Sequence, residues 1–249
     1  TDIVSDIFFY TLIFIALFFL TKYLCRSNSF LDVEVKKKQA IHIFSIPRSG
    51  GLILFLSIIL SIIFNTFFYK YIALIFVIFT IGFVDDYGIK IRPLKRLIIL
   101  FFSIYIFLFF FEITLRTTGL SWIDAWMLKY NLGFFIITIC FLILINGSNF
   151  IDGVNGNLAI HYFFLMVFIY FANSENSNLN IFIYPTLISL AIFLIFNLNN
   201  KIFFGDGGAY LSGLILGILI IEMLNSNTQI SPFFYLILTQ IMPSSNFIF

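Results

Sequence analysis

The chain has 249 residues, 61% of them hydrophobic and 10% charged, with a mean hydropathy of +1.07. Repeated apolar runs of about 15–20 residues exclude a soluble domain and predict one membrane-embedded helical bundle over 1–249. The formal net charge of +2 is too small to suggest nucleic-acid binding.

In chain order, nine apolar segments are predicted as all-α membrane spans: 7–24, 50–65, 68–84, 97–111, 132–148, 158–172, 182–198, 208–224 and 232–249. Helices are expected rather than a barrel, because the runs are continuously apolar without period-two alternation. The first run follows Asp2 and Asp6 instead of a basic region and lacks a small-residue cleavage site, so it reads as a span rather than a removed leader. The chain opens on Thr1, and a few residues are expected to precede it. Cys25 and Cys140 are isolated and read as inert thiols.

The connections carry the orientation signal. Loops at 22–48, 85–96 and 199–207 alternate onto one side with 149–157, and hold eleven of the fourteen Lys and Arg residues. Lys70, Arg116 and Lys129 fall on the other side. The positive-inside rule makes the basic side cytoplasmic and puts the N-terminus outside. The 112–131 connection, with Trp122, Trp126 and Tyr130, suits an interfacial aromatic belt or a short amphipathic helix.

Three polar islands interrupt this apolar chain, all on the predicted cytoplasmic side. Acids at the edge of a hydrocarbon-embedded segment are costly, which makes each a candidate functional residue. In FVDDYGIKIRPLKRL, Asp85 and Asp86 are adjacent and repel unless a cation or a nearby base compensates. They suit a divalent metal or proton handling; alternatively they are a solvated helix end paired with the trailing Lys and Arg. In NGSNFIDGVNGN, Asn146, Asn149 and Asp152 are three apart and share one face if the helix continues. They could hold a nucleotide's polar groups or a metal-bound phosphate, or form a polar helix end before a turn. In FFGDGG, Asp206 lies between Gly205 and Gly207 just ahead of a helix. There the backbone can approach a phosphate, although an Asp at that place can also be an N-cap. Arg48, between Pro47 and Gly50, is placed to meet a phosphate, whereas His42 alone in a loop is more often structural. Several acids without a His or Cys cluster favour Mg²⁺, with Mn²⁺ as the alternative, over Zn²⁺.

These islands, in this order, resemble the polyprenyl-phosphate N-acetylhexosamine-1-phosphate transferases. That family initiates O-antigen (lipopolysaccharide), teichoic acid and capsule synthesis and includes the peptidoglycan translocase. HIFSIPRSGG is similar to its His-x-x-Pro-x-Pro-Arg-x-Gly-Gly loop, and VDDYGIKIRPLKRL to its Asp-Asp motif with a trailing Pro-x-x-Arg-Leu. NGSNFIDGVNGN is similar to Asn-x-x-Asn-x-x-Asp-Gly-x-Asp-Gly, and FFGDGGAYLSG to Phe-x-Gly-Asp-x-Gly.

The resemblance implies transfer of a sugar-1-phosphate from a UDP-N-acetyl sugar to undecaprenyl phosphate, with release of UMP and a requirement for Mg²⁺. It implies Asp85, Asp86 and Asp152 as catalytic residues and Asp206 and Asp152 as metal ligands. It further implies Asn146, Asn149, Asn155, Arg48, Arg96, His42, Gly205 and Gly207 as substrate-binding residues. The setting would be the lipid of a bacterial inner membrane, and a homodimer is left open. Asn155 stands where many members have a second Asp, and Ser45-Ile46 replaces the first Pro-x of the loop. The family's further cytoplasmic loop, rich in His and Arg, is expected beyond Phe249, so the chain reads as C-terminally truncated. The alternatives are an inactive truncated member and a cation-coupled transporter, whose acids should sit nearer the bilayer midplane.

Overall fold

A computed structural model of the protein describes residues 3–26, 46–64, 66–115, 121–130, 132–152, 156–172 and 177–226. These residues form nine α-helices and a 3-10 turn, with no strand among them. The helices are α1 (Ile3–Leu24), α2 (Gly50–Phe64), α3 (Ile72–Asp86), α4 (Pro93–Phe110), α5 (Ser121–Tyr130), α6 (Gly133–Ile151), α7 (Asn157–Ala172), α8 (Ser177–Asn197) and α9 (Gly205–Ser226). The 3-10 turn, Thr66–Tyr71, leads directly into α3.

Among the described residues, four stretches are long and apolar enough to cross a membrane: Phe68–Asp86, Pro93–Phe110, Gly133–Ile151 and Gly205–Asn225. Four more apolar helical stretches are shorter, at Phe9–Leu24, Gly50–Ile63, Asn157–Phe171 and Phe182–Asn197. The expected nine-span count is not confirmed: among the described residues there are four full-length candidates and four shorter apolar stretches, and the segment 232–249 lies outside them. The 112–131 connection contains the short helix α5, with Trp122 and Trp126 exposed four residues apart on one face.

Helix α9 is the central post. Its apolar window is 94% buried, against 22% for the window in α4. Helices α2, α3 and α6 surround it, α4 packs on α3 and α6, and α1 and α7 lie against α8. Small residues bring the backbones together, the usual means of close helix contact where hydrocarbon replaces water. A Cβ at Gly82 of α3 would lie 2.7 Å from the Gly207 backbone, and one at Gly51 of α2 would lie 2.4 Å from Gly208 N. One at Gly213 would lie 2.6 Å from the Leu144 carbonyl of α6. The outer face of α4 leaves Phe102, Ile106, Phe109 and Phe110 exposed, as a lipid-facing helix does.

The helices overrun the apolar segments, and the overrun carries the polar islands. Helix α3 continues through Asp85 and Asp86. Helix α4 starts at Pro93, where a missing backbone N–H costs nothing, and so takes Lys95 and Arg96 into its first turn. Helix α6 continues to Ile151 with Asp152 as its C-cap, the Asp152 N–H donating to the Ser148 carbonyl at 3.2 Å. Hydropathy marks where a helix is greasy, whereas the hydrogen-bond ladder continues into polar sequence wherever packing supports it.

Candidate active site

The C-terminal ends of α3 and α6 and the N-terminal ends of α2, α4 and α9 meet at one end of the bundle. A short zipper aligns two of these segments. Phe203 N–H donates to the Pro47 carbonyl at 2.9 Å, while Gly50 and Gly51 N–H donate to the carbonyls of Phe203 and Phe204, each at 2.9 Å. Arg48 and Asp206 are thereby carried into the same neighbourhood.

Asp86 is buried and holds the start of α9. Asp206 N–H donates to its Oδ1 and Gly207 N–H to its Oδ2, both at 2.8 Å. Asp86 thus caps a helix from another part of the chain and satisfies two of its otherwise orphan donors. Gly205 makes room for this contact. Its φ is +79°, and a Cβ there would lie 2.6 Å from Asp86 Oδ2. The amides of Asp206 and Gly207 are therefore engaged by a carboxyl group rather than directed at a phosphate. Asp206 does not cap its own helix through its side chain; that side chain faces Arg96.

Arg96 bridges two acids. Its Nη1 donates to Asp85 Oδ2 at 2.6 Å and to Asp206 Oδ2 at 3.0 Å. Ile91 N–H donates to the other Asp85 oxygen at 3.2 Å. The carboxyl groups of Asp85 and Asp206 also lie within hydrogen-bonding reach of each other. The pairing of Asp85 with a trailing Arg is the local arrangement that the sequence offered as the simpler alternative. The pairing with Asp206, 110 residues away, is not local at all. Lys90, Arg92 and Lys95 are exposed around this mouth.

Asp152 is only partly exposed at the end of α6 and joins the same cluster. Its carboxyl is held well above the usual carboxylate range, first by desolvation and then by the negative charges of Asp206 and Asp86. Arg48 and the Gly205 backbone N–H oppose that shift. Arg48 acts electrostatically on Asp86, Asp152 and Asp206 alike. Asn149 is partly buried one turn before Asp152. Asn146 lies one turn further back, and its side-chain N–H donates to the Leu142 carbonyl at 2.8 Å, so it is partly engaged with its own helix. Asn155 and His42 lie outside the described residues.

Sequence reasoning missed Tyr210. It follows Asp206 by one helical turn, its ring lies 5.2 Å from the Arg96 guanidinium carbon, and its buried hydroxyl has no hydrogen-bond partner among the described residues. The spacing in GDGGAY is a usable signal once α9 is known to start at Gly205.

A family model described as glycosyl transferase family 4 matches residues 68–224. The chain belongs to this family. No curated protein matches it. Membership supports a membrane transferase acting on a polyprenyl phosphate with a sugar phosphate. The matched residues include Asp85, Asp86, Arg96, Asp152 and Asp206, whereas Arg48 and His42 precede them.

The donor chemistry at this end of the bundle fits a hard divalent cation. Carboxyl and amide oxygens are hard donors, and Asp85 and Asp206 already share the positive charge of Arg96. Among the described residues no three acidic, His or Cys side chains gather tightly enough to cage a metal. Asp206 and Asp152 are the residues that would hold such an ion.

Proposed function

We propose that the chain transfers N-acetylhexosamine-1-phosphate from a UDP-sugar to undecaprenyl phosphate. An oxygen of the lipid phosphate attacks the β-phosphorus of the sugar nucleotide. The bond from that phosphorus to the bridging oxygen breaks, and UMP leaves with the bond electrons. The observation that carries this reading is the gathering of four carboxyls and two guanidinium groups from separate helix ends at one end of an apolar bundle. A bound Mg²⁺ or Mn²⁺ would neutralise charge on the pyrophosphate.

The protein's own contribution is position and charge, which dominate phosphoryl transfer. Arg48 and Arg96 hold phosphate oxygens, with Arg96 turning from the two carboxyls it bridges toward the incoming anion. Asp85, beside Arg96, faces the lipid phosphate. A phosphate monoester with a second pKa of about 6 is mostly dianionic at neutral pH, so Asp85 need not be a strong base. Asp86 keeps the α9 start in place, and Asn149 contacts the nucleotide. The asymmetry of Lys and Arg supports a cytoplasmic site in a bacterial inner membrane.

The test is incubation of membranes carrying the chain with undecaprenyl phosphate, Mg²⁺ and a panel of labelled UDP-sugars. Lipid-linked sugar and UMP are expected, and both disappear in Asp206→Asn. Failure of every sugar to label lipid, with ion flux that responds to Asp206→Asn, would replace the transferase by a transporter.

A further inference from the structure

A second recess lies outside the acidic cluster, between the end of α1, residues 46–47 and the α8–α9 connection. Its volume is about 530 Å³, and its lining includes Lys22, Arg26 and Lys201 together with Phe18, Phe196 and Pro47. No acidic side chain lines it among the described residues. The three cations are exposed, while Phe18 and Phe196 are partly buried and pack with ring centroids 5.4 Å apart. The recess sits where α1 passes from its apolar run into basic sequence, the level at which Lys and Arg reach a headgroup region. One turn below Phe18 and Lys22, α1 exposes Phe14, Ile15 and Phe19, and the Phe14 ring stacks on that of Phe18 with centroids 6.2 Å apart.

We propose that this recess binds the phosphodiester headgroup of an anionic phospholipid, with the acyl chains lying along the outer face of α1. Three like charges around one recess repel, and a phosphodiester, with its single negative charge, lowers that repulsion by facing all three. A diffusible anion would satisfy the charges but would leave the apolar track of α1 unused, which is why the occupant is assigned as a lipid. The recess also touches the loops that build the acidic cluster. Pro47 accepts the Phe203 N–H and precedes Arg48, and Lys201 lies just ahead of the Gly205 turn. Occupancy would steady both loops, whatever reaction the cluster performs.

Cys25, partly exposed on the wall of the recess and close enough to Lys201 to feel its charge, is a built-in reporter. The full chain in phosphatidylcholine nanodiscs is alkylated with a neutral maleimide, and labelling of Cys25 is read by peptide mass spectrometry. Adding phosphatidylglycerol is expected to slow Cys25 labelling roughly fivefold. The combined variant Lys22→Ala, Arg26→Ala, Lys201→Ala is expected to lose that protection. Equal labelling with and without phosphatidylglycerol overturns the proposal, as does slowing that persists in the variant. Protection by inorganic phosphate alone overturns the lipid assignment. Protection by polyprenyl phosphate at a far lower mole fraction overturns the phosphodiester in favour of the carrier. Native mass spectrometry of the unaltered chain gives a readout independent of the variant's folding. Retention of phosphatidylglycerol over phosphatidylcholine of matched chains is expected, and no preference overturns the proposal.

Discussion

Two clusters of charge sit at opposite ends of α9 and are built on different terms. At the far end, Glu222 accepts from Tyr71 Oη at 2.6 Å and pairs with Lys70 at 2.7 Å, with the Lys70 ammonium 5.0 Å from the Tyr71 ring. One acid meets one cation and one phenol there. At the near end, Asp85, Asp86, Asp152 and Asp206 share Arg48 and Arg96. A balanced pair braces a helix end. Four carboxyls sharing two guanidinium groups leave an excess of acids, and that excess is what marks the near end as the candidate site.

Several substitutions break or sharpen that contrast. The largest effect on rate is expected at the acid-rich end. Asp206→Asn should lower transfer roughly a thousandfold while the thermal midpoint moves little. The same change at the other end, Glu222→Gln, should leave the rate within about twofold, as measured by lipid-linked product. Asp86→Ala separates the two roles within one cluster. Removing the carboxyl leaves the Asp206 and Gly207 amides unpaired, so a stability loss of about 3 kcal/mol is expected. A midpoint drop of roughly 2–4 °C for each kcal/mol would follow in a detergent melt. Gly82→Ala should act through packing, pushing α3 from α9 at a cost of about 1–3 kcal/mol. Glu222→Gln should cost about 1–2 kcal/mol, the loss of a charged hydrogen bond at a partly buried brace.

The smallest effect is one of pH. The Asp152 carboxyl is held above its unfolded value, so the folded chain keeps this proton longer than the unfolded one. Its contribution to stability is fully present below the unfolded value of about 4 and is lost as pH rises toward the folded value. Asp152→Asn should flatten that part of the profile in metal-free melts. A cation that binds Asp152 displaces the proton, so binding should tighten with rising pH over the same window.

The reading of helices from hydropathy succeeded in the described region because each apolar run exceeds the length a strand would need. It failed at the ends. Hydropathy alone puts Asp85, Asp86, Arg96 and Asp152 in loops beside the spans, yet α3 and α4 contain the first three and the fourth caps α6. Candidate residues were legible because carboxylates and amides are rare and costly in such a chain. Their roles were less legible. Asp85 and Asp86 are neighbours in sequence, but one faces Arg96 and the other caps α9, since successive residues of a helix point about 100° apart.

By itself the sequence determined that the chain is a helical membrane protein with its rare acids in three islands, because hydrophobic burial and charge cost are written residue by residue. Only the tertiary structure decided which acid does what. Gly82, Gly51, Gly207 and Gly208 let three helix ends approach to backbone contact, and that closeness joins Asp86 to the α9 amides and Arg96 to Asp206. Such pairings depend on distances between segments more than 100 residues apart, which no local pattern encodes.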